Sequence, residues 1–316
     1  MHVPDGFLDL RTLASTAALA TVGLGLALRE VRRLPARRVP MIGLAAAFVF
    51  TAQMLNFPVA AGTSGHLIGA ALAGVLLGPA AAIVAMTAVL LLQSLMFADG
   101  GITALGANVL NLAIIAPLVA CGIYACVRRV AGDSLQATLL AAGFAAWCST
   151  LVAALSCATQ LAVAGVVEWG TVLAAMGGVH MLIGLGEAVI TMLILAVVIR
   201  SRPELLDVAS TGPVPHRARA AYAVMAAIGL MVLIAPLASS LPDGLEHVAE
   251  QFGFAGRAAA AHPAPLPDYA VTALAGDWPW LSAVVAGAVG ALLAFAVAWF
   301  VARALAAPGR TAARQQ

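Results

Sequence analysis

From Leu135 to Val163 the chain carries no Asp, Glu, Lys or Arg, and comparable apolar runs recur from one end to the other. Runs of that length match the hydrocarbon core of a bilayer, roughly 30 Å or about 20 helical residues. Soluble domains carry about 25% charged residues; here the charged share is 9% and the hydrophobic share 63%. In lipid a helix satisfies its own backbone, so the expectation is an all-α polytopic membrane protein.

Arginine orders the runs. The first, Leu10 to Leu28, ends in Arg29-Glu30-Val31-Arg32-Arg33-Leu34-Pro35-Ala36-Arg37-Arg38, five arginines in ten residues. The positive-inside rule makes this loop cytoplasmic and puts Met1 outside. Val39 to Asn56 returns to the outer face, and Ala104 to Val127 comes back to Arg128-Arg129. Parity then requires an even number of crossings between, supplied by His66 to Leu77 and Ala80 to Phe97, broken at Gly78-Pro79. The first of these is about 18 Å of helix, so its outer end must start below the membrane surface, reached by a small, apolar loop from Phe57 to Gly65. Leu135 to Val163 and Leu173 to Ile199 complete a seven-helix core with its N-terminus outside. Two additional transmembrane helices follow, Ala221 to Leu237 and Leu281 to Val301. All 16 basic residues are arginine, and on this topology only Arg11 and Arg257 are not cytoplasmic.

A chain without lysine has no Walker A lysine and no Schiff-base lysine for pyridoxal phosphate or retinal. It cannot hydrolyse ATP through a P-loop of its own, so ATP-derived energy has to come from a partner. The four cysteines (Cys121, Cys126, Cys148, Cys157) lie in apolar segments without a CxxC pair, and read as small core residues. The N-terminus has no positive n-region and is expected to remain uncleaved.

That end carries the chemistry. In Met1-His2-Val3-Pro4-Asp5-Gly6-Phe7-Leu8 a histidine at position 2 stands beside an α-amine and its own backbone amide. Amine, deprotonated amide and imidazole close two fused chelate rings on one ion in a nearly planar set. Planar nitrogen ligation suits Ni(II) or Cu(II), with Co(II) also drawn in, whereas Zn(II) prefers a tetrahedron. His66 in Thr63-Ser64-Gly65-His66 is the candidate fourth donor. The opposing reading is that residue 2 frays in solvent.

Few other polar groups interrupt the apolar background. Gln53 and Asn56 close the second run, and Asn108 and Asn111 share a helix face near the outer end of the fifth. They read either as helix–helix hydrogen bonds or as supports pinning the N-terminal segment and the His66 loop. His180 and Glu187 lie on one face of the seventh run; they read as a hydrogen-bonded structural cluster, or as site-lining and proton-carrying groups. Between the last two runs, Leu241-Pro242-Asp243-Gly244-Leu245-Glu246 opens a short helix stopped at Gly253, read either as a solvated, capped helix or, since Asp243 and His247 share a face, as a weak metal relay.

These residues also resemble a family. MHVPDGFL at 1–8, AAFVFTAQMLNFPVAAGTSGHLIG at 46–69, FADGGITALGAN at 97–108 and GVHMLIGLGEAVIT at 178–191 are similar to the CbiM/NikM substrate-capture components of energy-coupling-factor cobalt and nickel importers. LPDGLE at 241–246 and PLPDY at 265–269 resemble the two-span CbiN/NikN component, here fused behind it. The resemblance implies Met1, His2 and His66 as metal ligands, the set reached from chelate chemistry. It implies partners too: a transmembrane coupling subunit and two cytoplasmic ATPases. Residues 1–205 then form the metal-capture domain, 206–218 a cytoplasmic linker, 219–305 the two-helix module with an outer loop over about 238–280, and 306–316 a cytoplasmic tail. The expected role is metal capture and translocation in a prokaryotic plasma membrane, with no enzymatic activity, no nucleic acid partner and no cofactor beyond the transported Co(II) or Ni(II). A proton-coupled carrier using Glu187 and His180 is the alternative. The C-terminal module is expected to act in transport, not in binding.

Overall fold

The computed structural model describes residues 1–59, 62–201, 239 and 241–306. It is helical almost throughout. Helix α1 (Leu10–Val31) starts where the Asp9 carboxylate accepts the Arg11 and Thr12 N–H groups, and it stops before Arg32-Arg33. After a 3-10 turn over Ala36–Arg38, α2 (Val39–Gln53) leads into a short antiparallel ladder, β1 (Asn56–Pro58) against β2 (Ser64–His66). Helices α3 (Ala70–Leu77) and α4 (Pro79–Phe97) follow, divided at Gly78. The next rod comprises α5 (Leu105–Asn108), a π-helical stretch (Val109–Ile115) and α6 (Ala116–Ala131). Pro117 lies where that stretch ends; it has no N–H to donate to the preceding turn, so the coil widens there. The long pair α7 (Leu135–Val163) and α8 (Trp169–Ser201) pack along each other. Beyond them come α9 (Gly244–Gln251), a single turn α10 (Thr272–Ala275) and α11 (Pro279–Leu305).

Among the described residues six rods are long and apolar enough to cross a bilayer, the α5–α6 rod counted as one. With α2 and α3 shorter than a spanning helix, this is a polytopic membrane protein. Every stretch expected to span carries a helix except Ala221 to Leu237, which lies outside the described residues, as do the linker 206–218 and the tail beyond residue 306. Two local expectations change. The helix expected from His66 begins only at Ala70, because residues 64–66 are drawn into the ladder and the Ile68 and Gly69 N–H groups are bonded elsewhere, to Glu187. The connection before it is a strand pair, which satisfies backbone groups that an irregular loop would leave bare.

Alanine and glycine govern the packing. The buried stripe of α11 is Ser282, Ala286, Gly290, Ala294, Ala298 and Ala302, repeating every fourth residue, and it lies against α2 and α4. Small residues let membrane helices approach closely when no hydrophobic force joins them in lipid. Gly290 is the tightest point: a Cβ there would overlap the Phe50 ring and crowd Phe97. Gly25 of α1 has nothing within 4 Å. Gly290→Val is therefore expected to lower the thermal transition of the purified protein in detergent, overpacking of this kind costing about 1–3 kcal/mol. Gly25→Val is the matched control and should shift the transition by much less.

Candidate metal centre

The first eight residues do not fray. Met1, Val3, Phe7 and Leu8 are buried, Val3 completely. Asn108 clamps Val3 from both sides: its Oδ1 accepts the Val3 N–H at 2.8 Å and its Nδ2 donates to the Val3 carbonyl at 3.0 Å. Asp5 fastens the next turn. Its carboxylate accepts the N–H groups of Ile102, Thr103 and Ala104 and the Thr103 hydroxyl. Gly101 donates to the Val3 carbonyl, and any Cβ at Gly101 would collide with Asp5. The Gly100-Gly101 pair thus lets two backbones run in contact.

His66 is fixed by its own strand and the residues after it. The ladder pairs it with Asn56. Beyond it, Glu187 reaches from α8 and accepts the Ile68 N–H at 2.6 Å and the Gly69 N–H at 2.9 Å, while Gln53 donates to the Ile68 carbonyl at 2.8 Å. Ser64 donates through its main-chain N–H to the Pro242 carbonyl and through its hydroxyl to the Leu241 carbonyl. The segment ahead of α9 is therefore stitched to the histidine strand.

These anchors bring the two ends together. The Met1 amine lies 2.8 Å from His66 Nε2 and 2.5 Å from Asp243 Oδ2. The His2 and His66 rings stack 5.3 Å apart and within 2° of parallel. His2 Nδ1 meets Asp99 Oδ1 at 2.8 Å, and Asp99 Oδ2 accepts the Tyr269 hydroxyl at 2.5 Å. Burial, reinforced by the neighbouring ammonium and His2, pushes His66 down to about 3, so its imidazole stays neutral with a lone pair to offer. Burial alone would raise Asp243, but the Met1 ammonium and His66 outweigh it and hold the carboxyl below its usual range. Asp99 follows the same balance, with His2 and the hydrogen bonds from His2 and Tyr269 on the lowering side. A cavity of about 440 Å³ opens onto the group, lined by His2, His66, Asp99, Asp243, Glu246 and Asp268 among others. Among the described residues no three His, Cys, Asp or Glu side chains gather as a metal cluster.

The residues singled out from sequence separate in the structure. Met1, His2 and His66 are neighbours, Asn108 and Gln53 hold the backbone beside them at Val3 and Ile68, and Asn56 lines the cavity. Asn111 is elsewhere: it bonds Gln160 and Ser156 of α7, a helix-to-helix contact. His180 donates from Nδ1 to the Met176 carbonyl of its own helix, lies against Gly244, and lines a small pocket with Met1, His66 and Asp243. Glu187 anchors the His66 loop. Asp243 does cap α9 in a full capping box with Glu246, but it is not simply a solvated cap, because its other oxygen holds the Met1 amine. Asp5, Asp99 and Tyr269 were not among the candidates. Asp5 and Asp99 sit inside the MHVPDGFL and FADGG motifs, the one available signal, while nothing in the spacing joins Tyr269 to residues far earlier in the chain. The C-terminal module also supplies part of the cavity wall, which its expected role in transport alone had not included.

The chain is similar to known proteins along most of its length. The family of cobalt uptake substrate-specific transmembrane regions, CbiM, matches residues 2–205, and the PDGLE domain matches residues 217–307. A relative in Archaeoglobus fulgidus, provisionally named a fused nickel transport protein NikMN, is 33% identical over 311 residues, covering 96% of this chain and 98% of its own. The fused nickel transport protein NikMN of Rhodobacter capsulatus is 36% identical over 256 residues, covering 75% and 72%. A crystal structure of a truncated transition metal transporter superposes with a TM-score of 0.58 at 32% identity, over 64% of this chain and 99% of that one. The bundle is thus a membrane transport component of the cobalt and nickel class. The chain belongs to the CbiM family, and it carries a PDGLE domain behind the CbiM region.

Glu187 offers a direct check on how the site is held. Glu187→Ala would leave two buried N–H donors without acceptors, at about 1–3 kcal/mol each. The expected outcome is a loosened His66 loop and Ni(II) binding weakened by at least tenfold in equilibrium dialysis. Glu187→Gln keeps one good acceptor and should fall between Ala and the parent.

Proposed function

We propose that this chain is the ion-capture subunit of an ATP-driven importer of Ni(II) or Co(II). The ion is held in a square of nitrogens: the Met1 amine, the deprotonated His2 amide, His2 Nδ1 and His66 Nε2. The observation that carries this reading is the buried 2.8 Å approach of the Met1 amine to His66 Nε2, two donors that sequence distance would otherwise keep apart. A neutral His66 and a main-chain nitrogen set favour a planar d-block ion over Zn(II). Four in-plane donors leave no open in-plane position for chemistry, in keeping with a carrier and not an enzyme.

The chain has no lysine and so no P-loop. ATP hydrolysis falls to two partner ATPases in the cytoplasm, joined through a transmembrane coupling subunit. The arginine distribution supports a prokaryotic plasma membrane orientation with Met1 outside and the C-terminal tail inside. Residues 1–205 act as the capture domain, and 219–305 as a module whose outer segment bears on the site. In the alternative, Glu187 and His180 would shuttle protons; the two main-chain donors on Glu187 support anchoring instead.

Two experiments test the ligand set. Purified protein should retain Ni(II) or Co(II) with the absorption spectrum of a planar nitrogen complex. An uncleaved N-terminal extension, His2→Ala or His66→Ala should each abolish tight binding, while a C-terminal tag should not; normal binding by the extended protein would sink the chelate. Inserting one alanine between Met1 and His2 should create an amine, two amides and an imidazole in sequence, a complete square by itself. Ni(II) binding in that background, with the Met-Ala-His terminus verified, should survive His66→Ala, whereas uptake should fall because the ion no longer ties the N-terminus to the loop.

A further inference from the structure

The resting position of His2 differs from the one the chelate requires. A six-membered ring through the His2 amide closes on Nδ1, the imidazole nitrogen nearer the backbone; Nε2 cannot reach the same ion. Yet Nδ1 is taken by Asp99 Oδ1 at 2.8 Å. Nε2, buried at the cavity wall, has no hydrogen-bond partner among the described residues.

Asp99 is in turn shared. Its Oδ2 accepts the Tyr269 hydroxyl at 2.5 Å, and that hydroxyl accepts from Gln93 Nε2 at 3.0 Å. Tyr269 belongs to the C-terminal module. Its ring stacks on Phe97 at 4.9 Å and leans on Phe50 at 5.9 Å, next to the close contact made by Gly290 of α11. Its backbone has φ 57°, directly after Asp268 at φ 52°. Two successive non-glycine residues in the left-handed region are costly, and such strain concentrates at functional positions. Here the strained turn delivers one hydroxyl to one carboxylate.

From this geometry we propose that Asp99 is a holding partner for His2, competing with the transported ion for Nδ1, and that Tyr269 sets the strength of the hold. The proposal rests on the chelate reading above and deepens it. As an ion enters, the imidazole leaves Asp99 and carries its hydrogen on Nε2, presenting the Nδ1 lone pair, while the Met1 ammonium and the His2 amide each give up one proton to water in the cavity. As the ion leaves, Asp99 takes the ring back. A chelate with no competing partner releases its ion slowly, and a carrier has to let go. Because Tyr269 withdraws part of the Asp99 charge, the C-terminal module weakens the hold without touching the ion.

The two side chains therefore have opposite signs. Asp99→Asn removes the charge that holds His2, so Ni(II) should bind more tightly, by about tenfold or more, and leave more slowly. Tyr269→Phe keeps the stacked ring but returns the whole carboxylate charge to His2, so binding should weaken by about threefold or more and release should quicken. The double variant should match Asp99→Asn. The measurements are equilibrium dialysis and stopped-flow transfer to a chelator on the full chain in detergent, with the planar nickel spectrum as signature. The parent protein is the control: absence of that spectrum there defeats the chelate reading itself. With the parent binding normally, unchanged or weaker binding by Asp99→Asn overturns the hold. If Asp99→Asn does not fold, Tyr269→Phe is read by affinity, release and spectrum together: weaker binding and faster release with the parent's planar spectrum intact support the hold, while unchanged or tighter binding, or a distorted spectrum, overturns the proposal. A merely structural role for the pair would weaken binding in both variants.

Discussion

Burying an amino terminus is the constraint on which the rest of this structure depends. An ammonium group taken out of water costs several kcal/mol unless charge and hydrogen bonds replace its hydration. Met1 is 4% exposed, and its amine is met by Asp243 on one side and His66 on the other. Those two partners come from opposite ends of the chain. The hairpin, the PDGLE segment and the first eight residues therefore have to be assembled together, and the fold provides a separate fastening for each. Asn108 and Asp5 hold the N-terminal strand, Glu187 and Gln53 hold the residues after His66, and the capping box of α9 holds Asp243. Each fastening joins a side chain to backbone, so it fixes position without occupying the nitrogens at the centre.

The same constraint gives the C-terminal module a physical reason to be fused. Asp243 lies beside the amine only because Ser64 bonds the carbonyls of Leu241 and Pro242, and Tyr269 reaches Asp99 only because α11 lies tight against α2 and α4. Connecting the parts in one chain removes the translational cost of bringing a separate subunit to the cavity. It also fixes the stoichiometry of the carboxylates around the site at one set per amine.

Much of this was legible in the sequence, for reasons that can be named. Apolar periods and arginine positions report directly on bilayer crossing, so the helices among the described residues were found at their places. The N-terminal histidine could be read because its chelate rings are local: amine, amide and imidazole belong to adjacent residues whatever the fold. What could not be read was long-range pairing. Gln53 and Asn108 were candidates because amides in lipid need partners, but Asn111 looked the same and bonds Gln160 instead. Glu187 was conspicuous as an intramembrane carboxylate, yet only the fold shows that its partners are two main-chain N–H groups. The ladder of Asn56–Pro58 against Ser64–His66 was hidden because three residues on each side are too few to show the alternation that reveals a strand. Asp99 and Tyr269 lie far apart in sequence, and only the approach of α11 to α4 makes them a pair.

If the ion is held as proposed, attraction and selection are carried by different groups in this cavity. The four carboxylates of Asp99, Asp243, Glu246 and Asp268 line it, and their field draws any small cation with little regard to identity. Nitrogen donors of fixed planarity discriminate, because a hard oxygen-seeking ion gains little from them. On the proposed reading, two of the attracting groups also restrain the selecting ones: Asp243 holds the amine and Asp99 holds His2. An arriving cation is thus drawn by the same charges that it must then displace from the ligands. Only an ion whose bonds to nitrogen exceed both contacts can complete the square, so a calcium or magnesium ion in the vestibule would leave the resting pairs intact. The two carboxylates set a threshold on bonding strength as well as a funnel, and that threshold is a property of the assembled chain, not of the amino-terminal chelate by itself.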